Sequence, residues 1–169
     1  NGSLKRYYLS DNSGTRSSMT FISSKTLTHP VIMDPAYSNE GGWAKFELNK
    51  YLNNRVYNAL PDKWKQLIKK VKIKSSIGKQ SLNVSSSDCY IFVPSISELV
   101  PSMTEEPYAS EGTIISHFSS NASRICYNPN GAAVQYWTRS PSLGWDNYVF
   151  RITNTGSYQS ITQTSAVDI

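Results

Sequence analysis

Two cysteines and two histidines are few ingredients for a reactive centre in a chain of 169 residues. Cys89 and Cys126 stand in no C-x-x-C pair and have no second pair to complete a zinc site, so the sequence leaves open one disulfide or two buried thiols. Two cysteines also leave the redox compartment open. Neither His29 nor His117 has a His, Cys or Glu at metal-ligand spacing, and H-E-x-x-H is missing. There is no glycine-rich phosphate loop and no G-x-S-x-G elbow. Glu105 and Glu106 precede Pro107 in a loop, unlike a glycosidase pair held across one substrate. Asp88 and Asp146 read as cap or turn residues. The expectation is therefore no catalytic residue, no metal and no cofactor. No apolar run approaches the roughly 18 residues of a membrane span. The first residue is Asn1 rather than Met, so a lost signal or an upstream domain stays open.

What the chain does have is aromatic and polar surface chemistry. Aromatics make up 12% of it, with 11 tyrosines, against a hydrophobic fraction of only 38%. Disordered chains are poor in aromatics, so this is a folded domain with a modest core, and 169 residues suit a single one. Charge is uneven: residues 1–80 carry 14 Lys and Arg against five acids, residues 81–169 only three Arg against seven. The densest basic run is Lys63, Lys65, Lys69, Lys70, Lys72, Lys74 and Lys79. A nucleic-acid surface needs such charge, but it ordinarily adds arginines and polar residues that read bases or grip phosphate. This run is all lysine, which points to a solvated face and away from a nucleic-acid partner. An anionic cell-surface polymer is a third reading.

Periodicity predicts short strands first, at Tyr7–Leu9, Phe21–Ile22 and Val31–Met33, with a turn at Asp11–Gly14. Trp43, Phe46, Leu48, Tyr51, Leu52, Val56, Ala59 and Leu60 then recur at helical spacing. Pro61 with Asp62 behind it starts a second helix, end to end with the first, whose buried face is expected at Trp64, Leu67, Ile68 and Val71. A strand is predicted over Tyr90–Val93. Ser95 and Glu98 have capping-box spacing ahead of a helical turn at 96–100. Loops fill 101–135. Strands follow at Val134–Thr138, Tyr148–Thr153 and Ser157–Ile161, the last two joined by a hairpin turn at Asn154-Thr155-Gly156. Helices first and strands grouped later make an α+β domain rather than an alternating one.

Three blocks, WAKFELNKYLNNRVYNALPDKWKQLIKKV, DCYIFVPSISELV and SRICYNPNGAAVQYWTRSP, resemble an uncharacterised family of bacterial and phage domains. Its members look like W-x-x-S-x-L-R-x-Y-L-N, then D-x-(I/V)-F-L-x-S-x-x-E, then W-x-R-S-P. The resemblance runs from about Phe21 to the C-terminus. Phe46 and Asn49 depart from it, standing where Ser and Arg are usual, and the end, TSAVDI, replaces a G-V-R-P-like strand. The resemblance implies a C-type-lectin-like fold, in which two helices pack on small twisted antiparallel sheets and long loops carry the ligand surface. That fold also houses the formylglycine-generating enzymes and the variable proteins of diversity-generating retroelements, and the resemblance implies a secreted, cell-surface or virion setting, prophage tails among them.

The expected function is non-catalytic binding of a cell-surface glycan or protein through the C-terminal loops, which are crowded with Tyr, Asn, Ser and Thr as paratopes are. The candidate ligand residues are Tyr127, Asn128, Asn130, Trp145, Asn147, Tyr148, Asn154 and Tyr158. Trp137, Arg139, Ser140 and Pro141 form a structural motif in which Trp137 is buried, Arg139 is held by carbonyls or a carboxylate, and Ser140-Pro141 turns the chain out of the sheet. The alternatives are a purely structural tail or fibre domain, trimeric through an upstream segment, or, further off, a formylglycine-generating-like enzyme using Cys89 or Cys126 or a nucleic-acid-binding domain.

Overall fold

A computed structural model describes residues 4–8, 19–27 and 29–169; the turn expected at Asp11–Gly14 and the residue Leu9 lie outside them. The fold is mixed α and β, with few, short helices and small antiparallel sheets. Strand β1 (Leu4–Tyr8) pairs with β2 (Met19–Ser23). A 3-10 turn at Gly42–Ala44 leads into α1 (Glu47–Lys50), a π-helical stretch at Tyr51–Val56, and α2 (Tyr57–Ala59), which follow without a break. The chain corners at Leu60, enters α3 (Asp62–Lys65), and pairs β3 (Val71–Ser76) with β4 (Val84–Cys89). Helix α4 (Ile96–Leu99) and, after a long loop, α5 (Asn121–Arg124) precede β5 (Cys126–Tyr127) and β6 (Ala133–Val134). β5 pairs with β6, and a three-stranded sheet then orders β7 (Tyr136–Pro141), β8 (Tyr148–Ile152) and β9 (Tyr158–Thr162) as consecutive hairpins.

The first helix buries the leading half of its predicted stripe, while Tyr51 and Ala59 are exposed and Val56 and Leu60 half-buried. Trp43, Phe46, Leu48 and Leu52 join Met33, Ile73, Cys89, Val93, Trp137, Val149 and Val167 in the main core. Phe46, one of the departures from the family-like pattern, is fully buried there. Asn49, the other, uses its amide to cap the Trp43 carbonyl at 3.0 Å. A second core lies under α4, from Ile96, Leu99, Val100, Tyr108, Phe118 and Ile152. The Ser95–Glu98 capping box forms as predicted. The hairpin turn at 154–156 forms too, with Gly156 at φ 79° between Thr153 and Ser157, which are hydrogen-bonded. The chain end returns to the core: Val167 bridges Val31, and Asp168 bridges Tyr136.

Three expectations are corrected. The second helix is one turn, not a continuation through Val71. Val71 and Ile73 are β-branched and alternate with Lys72 and Lys74, and the pairing with β4 captures them. Trp64 and Leu67 are consequently exposed rather than buried. The strand expected at Tyr90–Val93 lies earlier, at Val84–Cys89. Three serines hide its pattern, while the backbone of Tyr90 and Ile91 is claimed by one side chain: Asn53 Oδ1 accepts both N–H groups, at 2.7 and 3.1 Å, and Asn53 Nδ2 donates to the Ile91 carbonyl. Val31–Met33 makes a single bridge in place of a strand.

Cys89 and Cys126 are not joined in a disulfide. Cys89 is enclosed, accepting from Trp43 Nε1 at 3.4 Å and donating to Asn49 Oδ1 at 3.5 Å. Burial pushes its pKa up, so the thiol keeps its proton and behaves as a small core residue.

Candidate functional site

Arg139 sits at the centre of the molecule, 1% exposed, and every one of its five N–H donors has a partner. Nε donates to the Lys74 carbonyl at 2.8 Å, Nη1 to the Val93 carbonyl at 3.0 Å and to Glu98 Oε2 at 2.8 Å. Nη2 donates to Glu98 Oε1 at 2.8 Å and to the Glu111 carbonyl at 2.9 Å. The side chain therefore ties β3, α4 and the long loop to β7. A β-bulge aims it: Trp137 pairs with Arg151 and Pro141 with Val149, so four steps along β7 match two along β8. Within the bulge, the Arg139 N–H leaves the ladder for the Pro94 carbonyl and Thr138 Oγ1 donates to the Phe150 carbonyl. Ser140 and Pro141 thus stay in the sheet. The expected exit from the strand at Ser140-Pro141 is replaced by this bulge, and the turn comes later, at Leu143-Gly144. Trp137 is fully buried, as predicted, and its Nε1 donates to the Val31 carbonyl at 2.9 Å.

Beside Arg139 lies a buried carboxyl that sequence reasoning did not single out. Glu111 accepts from Ser76 N at 2.7 Å and from Ser140 Oγ, which itself accepts from Ile96 N at 2.9 Å. Burial raises its pKa to about 7, against the pull of Ser140, Ser76 and Arg139 toward the charged form.

The exposed aromatics stand elsewhere. Trp145 is 60% exposed in the β7–β8 loop, its ring 5.7 Å from that of Tyr148. Under this loop lies Asn39, with no exposed surface. Its Nδ2 donates to the carbonyls of Trp145 and Tyr148, both at 2.9 Å, its Oδ1 accepts from Lys79 N at 2.8 Å, and its own N–H donates to the Asp146 carbonyl at 2.6 Å. One asparagine thus fastens three loops into a rim. Gln80 Nε2 reaches Asp146 Oδ1 at 2.9 Å across it. Lys79 and Gln80 both hold left-handed backbone, at φ 51° and 57°, a conformation non-glycine residues rarely adopt and one concentrated at ligand-contacting positions. Gly78 before them admits no side chain, because a Cβ there would lie 2.0 Å from the Asn39 carbonyl oxygen. Tyr37, on the Asn39 loop, is 75% exposed, and Gln163 holds that loop by donating to the carbonyls of Ala36 and Ser38. Replacing Asn39 with Ala should cost about 2–4 kcal/mol, because it orphans several buried backbone groups at once. Urea unfolding measures it, and a cost below about 0.5 kcal/mol would show that the loops are held by something else.

The sequence-predicted ligand residues do not form one surface. Trp145, Asn147 and Tyr148 belong to this rim, although Asn147 is buried, with its Nδ2 unpartnered and its carbonyl accepting from Gln163 N. Asn147 is therefore corrected from a surface contact to part of the floor. Asn154 and Tyr158 lie at the opposite end of the sheet, since the β8–β9 turn and the β7–β8 turn point away from each other. Tyr158 borders a shallow cleft of about 400 Å³ with Asn121 and Arg124. Tyr127, Asn128 and Asn130 form the β5–β6 hairpin, where Asn128 Oδ1 accepts from Asn130 N and Ala132 N, both at 3.0 Å, and serves the turn. Tyr37, Asn39, Lys79 and Gln80 were missed. Their contacts span some 40 to 110 residues of sequence, and the one local sign was the Asn39-Glu40-Gly41-Gly42 turn signal. Among the described residues, no group of three or more His, Cys, Asp and Glu could hold a metal ion, and no helix is long and apolar enough to cross a membrane.

Comparison with known proteins returned no significant match among curated proteins or solved structures. One family model does match, over residues 17–168, and its description is a domain of unknown function, DUF6273. That span takes in the Trp43 helix, the Ser95–Glu98 cap, the Arg139 bulge and the Trp145 rim, so the chain belongs to the DUF6273 family.

Proposed function

We propose that this domain is a non-catalytic binding module that displays the Trp145 rim to a glycan or protein ligand. The observation that carries the reading is the pairing of exposed aromatics, Trp145 and Tyr37, with a backbone locked from beneath by a fully buried asparagine. Such a rim loses little entropy on binding, because its loops are already ordered. Aromatic faces stack on sugar rings or apolar side chains, while Gln80, Asp146 and Lys79 supply donors and acceptors around them. Two helical segments over small antiparallel sheets, with ligand chemistry on loops, agree with a C-type-lectin-like architecture. The W-x-R-S-P motif, seen here as Trp137-Thr138-Arg139-Ser140-Pro141, ties β3, α4 and the long loop to β7 in the interior. On this reading the domain works outside the cell or on a virion, as the resemblance to bacterial surface and phage tail domains implies.

The test is a glycan and protein array with the wild-type domain and Trp145→Ala. Trp145 has 60% of its surface in solvent, so its loss should leave stability within about 0.5 kcal/mol. Affinity for the ligand found should fall roughly 30-fold, the cost of a central aromatic contact. A ligand that binds Trp145→Ala as well as wild type would move the site to another surface, and no ligand at all would favour a purely structural role.

A further inference from the structure

Of the apolar face written into residues 61–71, Val71 packs against the main core, but Trp64 and Leu67 do not join it. Trp64 and Leu67 are three residues apart on one helical turn, so their side chains share a face. That turn is real: Leu67 N and Ile68 N both bond to the Trp64 carbonyl at 3.0 Å. Yet Trp64 is 44% and Leu67 75% exposed. At the tip of this turn a tryptophan and a leucine therefore keep much of their surface in water, although the sequence spaces them for burial.

Lysines surround this tip. Lys63, Lys65 and Lys69 flank it, and Lys70, Lys72 and Lys74 continue the charge onto β3. The acids facing them are Asp62, paired with Lys65 at 2.8 Å, and Asp88, opposite Lys72 across the β3–β4 ladder. Lys70 lies 5.1 Å from the Tyr90 ring, which stacks on Tyr57. Lys63, Lys69 and Lys74 make no ion pair among the described residues.

We propose that the Trp64–Leu67 turn docks on an anionic lipid surface, with Trp64 and Leu67 entering the headgroup region and the lysines resting on lipid phosphates. Charge complementarity selects an anionic partner, and the tip selects lipid over other polyanions. A soluble polyanion engages lysines and leaves Leu67 in water, whereas a bilayer interface takes both. Tryptophan is the residue most at home at that depth, and lysine clusters beside an apolar anchor are drawn to acidic headgroups. A second copy docking by the same patch would set lysines against lysines. This surface is separate from the Trp145 rim, so a domain held on a membrane by one would keep the other free for a ligand.

The test uses sedimentation with vesicles of equal parts phosphatidylcholine and phosphatidylglycerol, against vesicles of phosphatidylcholine alone. Binding is expected to the mixed vesicles only, and to weaken with salt. The double variant Trp64→Ser, Leu67→Ser and the triple variant Lys63→Gln, Lys65→Gln, Lys69→Gln should each lower partitioning about tenfold or more, with unchanged melting temperature. Trp43 and Trp137 are buried, so a blue shift of emission on vesicle binding reports the exposed tryptophans. Trp64→Phe should abolish most of that shift while still binding. Three results would overturn the proposal: no difference between the two vesicle types, loss of binding in the lysine variant but not in the Trp64/Leu67 variant (a charge-only polyanion site), or a dimer in sedimentation that Leu67→Ser dissociates.

Discussion

Arg139→Met is expected to destabilise the domain by about 3–5 kcal/mol, the cost of breaking a buried ion pair from one side. At roughly 2–4 °C per kcal/mol for a chain of this size, the melting temperature should drop by about 10 °C. Methionine fills much of the volume but makes none of the five hydrogen bonds. It strands the carbonyls of Lys74, Val93 and Glu111 in the interior and leaves the largely buried Glu98 carboxylate without its cation, held only by the Ser95 N–H. Lysine is no substitute, because a single ammonium cannot match the bidentate contact to Glu98 while reaching carbonyls on three sides. Adding Glu98→Gln to Arg139→Met should recover part of the loss, since it removes the orphaned charge. A melting temperature within two or so degrees of wild type would mean that the bulge, not the guanidinium, holds these elements together.

The second large effect is on pH. Glu111 titrates near an ordinary carboxyl value of 4.5 when unfolded and at about 7 when folded. A raised folded-state pKa means that the folded domain binds the proton more tightly, so acid favours folding through this group. Its contribution is complete below about pH 4.5 and is lost as pH rises through 7, amounting to about 3 kcal/mol. Between pH 5.5 and 7.5 most carboxyl groups have finished titrating, so urea midpoints there isolate it. Wild type should weaken steadily across that window, and Glu111→Gln, which keeps a neutral side chain of the same shape, should stay nearly flat. Parallel curves for the two proteins would refute the assignment.

How much of this was legible depends on how local each signal is. The Trp43–Leu60 stripe, the Ser95–Glu98 cap, the Asn154–Gly156 turn and the burial of Trp137 all follow from short-range rules, because helical periodicity, cap spacing and turn residues act within a few positions. Arg139 was legible as a held charge, since an arginine two positions along a strand from a buried tryptophan must find partners. Its particular partners were not, as they come from three distant segments. The lysine strand β3 was misread for the opposite reason. Its helical spacing was genuine, but the competing strand β4 lies eight residues further on, and its serines give no pattern to read.

Taken alone, the sequence determined a mixed α and β domain with a buried tryptophan core, a capped turn, a late hairpin sheet and an arginine committed to the interior. These rest on the preferences of neighbouring residues. Tertiary structure alone decided that Asn39 would gather residues 79 and 145–148 into one rim, that the eight candidate ligand residues would divide between distant ends, and that Trp64 and Leu67 would be left in solvent. Such outcomes depend on which distant backbone groups compete for one side chain or one strand edge, and no window of sequence contains both competitors.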